Sequence, residues 1–505
     1  MAGASAHVLG EFLKNPLPDR RKTAPSEELV SKLPGSARLL FVTSEMAGFV
    51  KSGGLGEVSA ALPRKLSALC DVRVLIPGFR ALRRIQPVIE VVRKMPQTAS
   101  LPAWSLGRFR TADGLVIYAA LCDELYDRDG SPYGHASGED FTDNDIRFGR
   151  LSLAAAEIAA GDADPNWKPD IVHLNDWPSA LAAGYIAWKG LDTPSILTIH
   201  NLAYQGLFDR SRLSGLGIPE RAFSIDGTEF YGKISFLKAG ICYASHVTTV
   251  SETYAREITT HEYGCGLEGL LRGRLEEGRL HGIVNGIDAS WISPIDARSV
   301  GMANVRVWKQ KNAAEIRRDF DLEPTCGPLF SIISRLVHQK GIDLSIEAAE
   351  MIVSAGGQIV VTGRGDRKLE SEIMDLSKRY TGAVGAHIGF DDTEARKMFV
   401  ASDFLLMPSR FEPCGLSQMY AQRCGTLPIA YRTGGLADTI DDDSSGFLFS
   451  TANADGLISA LQRALGAFRS KRSFQAMRRR AMAKCFDWAR PAQKYANIYA
   501  QSISY

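Results

Sequence analysis

LLFVTSEMAGFVKSGGLGEVSAALPRKL, residues 39–66, carries the reading on which the fold turns. An apolar run ends in a glycine-rich, lysine-bearing turn, KSGGLGE (51–57), and an amphipathic run follows. Glycine loses more conformational entropy on folding than any other residue, so three of them at a strand end mean that bare backbone is needed there. The same strand–turn–helix grammar recurs along the chain. A first series of apolar runs comprises 38–45, 72–79, 115–121, 170–176, 195–201 and 246–251; a second comprises 329–335, 357–366, 383–390, 403–410, 426–435 and 446–450. The runs are rich in Val, Ile and Leu with little alternation, as strands buried on both faces should be. Helical patterns lie between them, which predicts parallel sheets covered by helices on both sides.

Two series predict two doubly wound α/β domains, and 505 residues are more than one ordinary core holds. The expected division is a mobile extension over 1–37, a first domain over 38–290, a second over 291–480, and a C-terminal helix over 481–505 that crosses back to the first. Trp488, Tyr495 and Tyr499 recur at helical spacing in that last segment and read as docking residues. Lys plus Arg number 59 against 57 acids, and a net charge of +2 gives no global attraction to nucleic acid or to a membrane. The eight cysteines form no CxxC pair and lie near no His at metal-ligand spacing, so neither a metal nor another cofactor is expected. Scattered thiols, no apolar run near the ~18–20 residues of a membrane span, and an N-terminus without an apolar signal core together predict a cytoplasmic protein.

In open α/β sheets ligands bind beyond the carboxyl ends of the strands, so polar residues there are the candidates. In KSGGLGE, the N–H groups of Gly53 and Gly54 and the charge of Lys51 suit an anion at a helix start. ISRLVHQKGID (333–343) places Arg335 at a strand end and Lys340 at the next helix start, where a cation is unfavourable unless an anion accompanies it. SRFEPCGLSQ (409–418) offers Glu412 and a glycine turn, and RTGGLADTI (432–440) repeats the glycine-rich turn. HLNDW (173–177) and IHNLAYQG (199–206) put Asp176, His200 and Asn201 on adjacent strand ends, a pocket suited to sugar hydroxyls. No acid ends the second strand, which reads IPGFR (76–80), so a nicotinamide-dinucleotide site is disfavoured. DDTEA (391–395) and DDDSSG (441–446) read as acidic turns rather than metal sites.

Taken together these motifs, with TDNDIRF (142–148), ISFLKAG (234–240), YGCGLEGLL (263–271) and VNGIDASWISP (284–294), resemble the bacterial glycogen synthases and plant starch synthases from about Arg38 to Tyr499. The resemblance implies a GT-B fold, two Rossmann-like domains around a cleft, and transfer of glucose from ADP-glucose to an α-1,4-glucan with retention of configuration. It implies that Lys51, Gly53, Gly54, Arg335 and Lys340 hold the donor diphosphate. Glu412, with backbone around Cys414, Gly415 and Leu416, would face the donor glucose, and Thr433, Gly434 and Gly435 would add donor contacts. Asp176, His200 and Asn201 would line the glucose and acceptor side, and Phe390 would contact adenine. Three positions depart from the family pattern: Ser52 in place of Thr, Glu57 in place of Asp, and Asn175 in place of His in the HDW stretch. A transferase using another nucleotide sugar such as UDP-glucose, and a catalytically idle glucan-binding protein, are the alternative readings. Oligomeric state is not legible.

Overall fold

The computed structural model describes residues 33–288, 305–389 and 391–504. Most of the expected extension over 1–37, the expected boundary at 290/291 and Phe390 therefore lie outside the described residues. The first sheet has nine strands in the order β12-β11-β7-β6-β1-β2-β5-β4-β3. These are β1 (Arg38–Val42), β2 (Asp71–Pro77), β3 (Glu90–Met95), β4 (Trp104–Arg110), β5 (Val116–Leu121), β6 (Ile171–Asn175), β7 (Ser195–Ile199), β11 (His246–Thr249) and β12 (Leu280–Gly282). Its pairings are parallel except at β4, which runs antiparallel to both β3 and β5. A small antiparallel sheet has the order β8-β10-β9, with β8 at Leu207–Asp209, β9 at Glu229–Phe230 and β10 at Lys233–Ser235. The second large sheet is parallel throughout, in the order β15-β14-β13-β16-β17-β18. Its strands are β13 (Leu329–Ile333), β14 (Gln358–Gly363), β15 (Val384–Ile388), β16 (Phe404–Met407), β17 (Leu427–Tyr431) and β18 (Phe447–Phe449).

Each of the twelve expected runs coincides with one of these strands, β2 beginning one residue before its run. The topology then decides where a site can form. In the first sheet the chain leaves β1 toward β2 on one side and β6 on the other; in the second it leaves β13 toward β14 on one side and β16 on the other. These reversals open crevices beyond the strand ends, because successive crossovers diverge to opposite faces. The crevice at β1/β6 receives the KSGG turn and Asp176; that at β13/β16 receives Arg335, Lys340 and Glu412.

Local chemistry explains the elements that frame these turns. The helix Gly54–Leu66 buries Leu55, Val58, Leu62 and Leu66 on one face, the spacing of an amphipathic helix. The C-terminal helix Ala489–Ile503 returns to the first sheet, where Trp488, Tyr495 and Tyr499 share a core with Leu39, Phe41 and Val72. Beneath that helix Tyr499 Oη bonds His173 Nδ1 at 2.7 Å, and His173 Nε2 bonds Thr198 Oγ1 at 2.7 Å.

Burial pushes the His173 imidazole down to about 3, helped by the neighbouring His200. A folded pKa below the unfolded one means that the unfolded chain takes up the proton first as pH falls. His173 thus contributes stability that is complete above about pH 6.5 and declines between there and pH 3. Replacing it by Gln is expected to remove about 1.4 kcal/mol per pH unit from the pH dependence of unfolding between pH 6 and 4. Denaturant titrations of both proteins across that range measure the difference; parallel curves would contradict it.

Candidate active site

The KSGG turn is already occupied by side chains of the chain itself. Ser52 N–H and Gly53 N–H both donate to Glu45 Oε2, at 2.6 and 2.9 Å. Glu45 follows β1 and is buried. Its other oxygen accepts from Tyr133 Oη at 2.6 Å, and Tyr133 Oη also lies 2.9 Å from Ser44 Oγ. Tyr133 is brought there by Arg147, whose guanidinium donates to Pro132 O and Asn144 Oδ1 from the buried helix Asn144–Ala160. Lys51 Nζ pairs with Glu57 Oε1 at 2.6 Å, a contact made by the residue that departs from the family's Asp. A methyl added at Gly53 or Gly54 would meet nothing within 4 Å. These two glycines therefore border open space, and packing does not demand them.

Asp176 begins the helix Trp177–Trp188 with φ +54°, a left-handed conformation that is uncommon for a residue with a side chain. Such strain persists only where the surroundings over-determine it, and here they do. Asp176 Oδ1 accepts from His200 N at 2.7 Å, tying the end of β6 to the end of β7. Asn201 N lies 3.4 Å from the same oxygen, and Asn201 Oδ1 accepts from Ala203 N in a turn. Desolvation pushes the Asp176 carboxyl up to about 7; the two backbone N–H groups oppose this and the charge of Glu45 adds to it. Desolvation drives the His200 imidazole down to about 3, so it is neutral at neutral pH.

In the second crevice Lys340 Nζ pairs with Glu412 Oε2 at 2.6 Å, and Ser409 Oγ donates to the same oxygen at 3.0 Å. Gly341, at φ +64°, makes this approach possible: a methyl there would lie 2.1 Å from Pro408 O. Arg335 is exposed at the end of β13 and has no carboxylate partner among the described residues. Cys414 is buried, its thiol pushed up to about 12 by desolvation, and Leu416 caps the helix Ser417–Arg423. Gly415 takes φ +70° against Gln418.

The RTGG turn is also engaged. Thr433 Oγ1 donates to Glu257 Oε1 at 2.9 Å and Gly434 N–H reaches both Glu257 oxygens at 3.0 and 3.1 Å. Glu257 belongs to the helix Glu252–Glu257 of the first half, and Thr253 N beside it donates to Asp438 Oδ2 at 3.0 Å. Gly435 N–H points at Glu412 O and Pro413 O, both 3.1 Å away. Across the two halves, the Tyr420 hydroxyl pKa is raised by burial first and then by the charge of Glu57.

The structure thus gathers Lys51, Gly53, Gly54, Asp176, His200 and Asn201 at one crevice, and Arg335, Lys340, Glu412, Gly415 and Thr433–Gly435 at the other. Sequence reasoning missed the carboxylates of Glu45 and Glu257 and the hydroxyl of Tyr133. Glu45 carries the signal used for Asp176, an acid closing an apolar strand. The acidic turns have other duties: Asp391 caps the helix Asp392–Ala401, and Asp442 and Asp443 pair with Arg463.

Chemically, the arrangement offers cations and amides whose present partners are anions, beside a carboxyl near neutral pKa and a neutral imidazole. That set suits a phosphorylated sugar. The family described as "Starch synthase catalytic domain" matches residues 38–273, and "Glycosyl transferases group 1" matches residues 315–476. A glycogen synthase of Pseudomonas fluorescens is 51% identical over 491 residues, covering 97% of this chain and 94% of its own. Glycogen synthase 1 of Bradyrhizobium diazoefficiens is 54% identical over 456 residues, covering 90% and 99%. Among solved structures, the catalytic domain of starch synthase IV from Arabidopsis thaliana, bound to ADP and acarbose, superposes with a TM-score of 0.80 at 29% identity, covering 93% of this chain and 100% of that one. With the fold GT-B and identity above one half across nearly its whole length, the chain belongs to the glycogen synthase family of glycosyltransferases.

Proposed function

We propose that the chain transfers glucose from ADP-glucose to the non-reducing end of an α-1,4-glucan, with retention of configuration. The observation that carries this reading is the pairing of Lys340 with Glu412 beside the exposed Arg335 at the β13/β16 crevice. As the glucosyl–phosphate bond stretches, negative charge grows on the departing ADP. Arg335, Lys340 and Lys51 bind that charge more strongly in the transition state than in the ground state, which is what lowers the barrier. Glu412 faces the glucose, where a positive centre develops, with backbone of Cys414, Gly415 and Leu416 alongside. The leaving phosphate takes the acceptor's hydroxyl proton, and no covalent nucleophile is required. Thr433, Gly434 and Gly435 hold the loop of Glu412 and supply donor contacts once Glu257 withdraws.

Nucleoside-diphosphate release measured with glycogen, ADP from ADP-glucose and UDP from UDP-glucose in parallel, tests the proposal. Rapid ADP release that depends on glycogen is expected; UDP-glucose turning over faster would reassign the donor.

Open space at Gly53 and Gly54 yields a sharper expectation. Ala at either position leaves stability within about 1 kcal/mol of the parent, because no neighbour is displaced. Turnover falls at least about tenfold, because the methyl occupies room left for the donor. Thermal melts and ADP-release rates separate the two effects.

A further inference from the structure

Asn175 ends β6 with its side chain fully buried, one residue before Asp176. Its Nδ2 donates to Val42 O at 3.0 Å across the β1/β6 pair. A backbone carbonyl can only accept, so the amide is oriented: nitrogen toward Val42, oxygen toward His200. Asn175 Oδ1 lies 3.0 Å from His200 Nε2. An amide oxygen also only accepts, so the hydrogen between them belongs to Nε2. The ring is neutral and carries one proton. It follows that Nδ1 holds a bare lone pair, and no group among the described residues donates to it.

The rest of the surroundings hold this state in place. His200 N is fixed by the Asp176 carboxylate. Asn175 N donates to Ser179 Oγ at 2.7 Å, which fastens the residue to the helix Trp177–Trp188. The chain of constraints runs from Val42 O through the amide to the ring, and each link admits a single donor–acceptor sense. Which nitrogen of a histidine is protonated is set by the partner of the other one.

We propose that Asn175 is a positioning residue that locks His200 in its Nε2–H tautomer, so that Nδ1 accepts a hydrogen bond from a hydroxyl of the transferred sugar. The sugar contact rests on the function proposed above; the tautomer does not. The lock gives the departure from the family's His at this position a definite consequence. An imidazole at 175 can donate or accept through either nitrogen, whereas the oriented amide offers His200 only an acceptor. A bare Nδ1 attracts a hydroxyl and repels acceptor-only groups such as phosphate oxygens, so it sorts the sugar end of the donor from its diphosphate.

The test uses full-length protein labelled with 15N in its histidine rings. Long-range proton–nitrogen correlation spectra distinguish a protonated from a bare ring nitrogen, and the His200→Gln protein identifies the His200 signals. Ligand-free protein at neutral pH is expected to show Nε2 protonated and Nδ1 bare. In Asn175→Leu the shifts move toward a tautomer mixture, and kcat/KM on ADP-glucose falls at least about tenfold. A proton on Nδ1 in the parent protein overturns the proposal without any variant needing to fold. Unchanged ring shifts in a folded Asn175→Leu protein overturn it as well. ADP-glucose added to the parent should move the Nδ1 signal away from its bare position; if the ligand-free tautomer is as expected and Nδ1 stays bare in the complex, the sugar contact is refuted and the lock stands. A locked tautomer in a protein that turns over no ADP-glucose would defeat the functional reading instead.

Discussion

Replacing Lys340 by Met lowers turnover on ADP-glucose by about a hundred- to a thousand-fold, and Arg335→Ala does the same. In the proposed mechanism the two act on the same developing charge, and they differ in their surroundings. Lys340 is mostly buried and 2.6 Å from Glu412, so its removal also leaves a buried carboxylate whose remaining side-chain partner among the described residues is the Ser409 hydroxyl. Removing one partner of such a pair destabilises the fold as well as the chemistry. Arg335 is exposed and carries no such debt. The Lys340→Met protein should therefore melt below the parent while Arg335→Ala does not. Adding Glu412→Gln to Lys340→Met should restore much of the melting temperature and none of the activity. Turnover within threefold of the parent for both single variants would remove the electrostatic basis of the proposed mechanism.

Gly434→Ala and Gly435→Ala are expected to unfold or gravely weaken the second half of the molecule. An added methyl at Gly434 would lie 2.0 Å from Glu412 O, and one at Gly435 would lie 2.1 Å from Cys414 O. Both obstacles are backbone, which has no rotamer by which to escape. The turn after β17 and the turn after β16 would have to separate, breaking the Gly435 N–H bonds and shifting Glu412 with them. A loss of about 3 kcal/mol or more is expected, at the upper end of single substitutions. Thermal and denaturant unfolding measure it directly, and a melting temperature unchanged within error would sink the expectation. The contrast with Gly53 and Gly54 is the useful part: four glycines in similar-looking turns separate into two that serve packing and two that border space.

Both large sheets were legible in the sequence because their parallel strands are buried on both faces and read as unbroken apolar runs. β3 and β4 were not: EVVRKM on the sheet edge is mostly exposed, and WSLGRFR interleaves polar and charged residues with its apolar ones. β8, β9, β10 and β12 span two or three residues each, too short for any periodicity to register. The candidate residues were legible where a rule tied them to a strand end. Their internal partners were not: Tyr133 meets Glu45 across 88 positions and Glu257 meets Gly434 across 177, and no local pattern encodes such a meeting. TDNDIRF was noticed only through resemblance, and its Arg147 proves to be a buried brace behind Tyr133.

The carboxylates seated on these turns act as tethered rivals to any anion that approaches them. Glu45, Glu57, Glu257 and Glu412 each satisfy a donor that, in the proposed mechanism, a donor phosphate or sugar oxygen would take. A free inorganic phosphate or a mononucleotide arriving from solution must evict a tethered rival at each contact, and a small ion reaches too few of them at once to profit. A long ligand that engages several turns together can evict them in concert. Discrimination against the abundant small anions around the protein would then follow from intramolecular competition, with no steric barrier at the entrance.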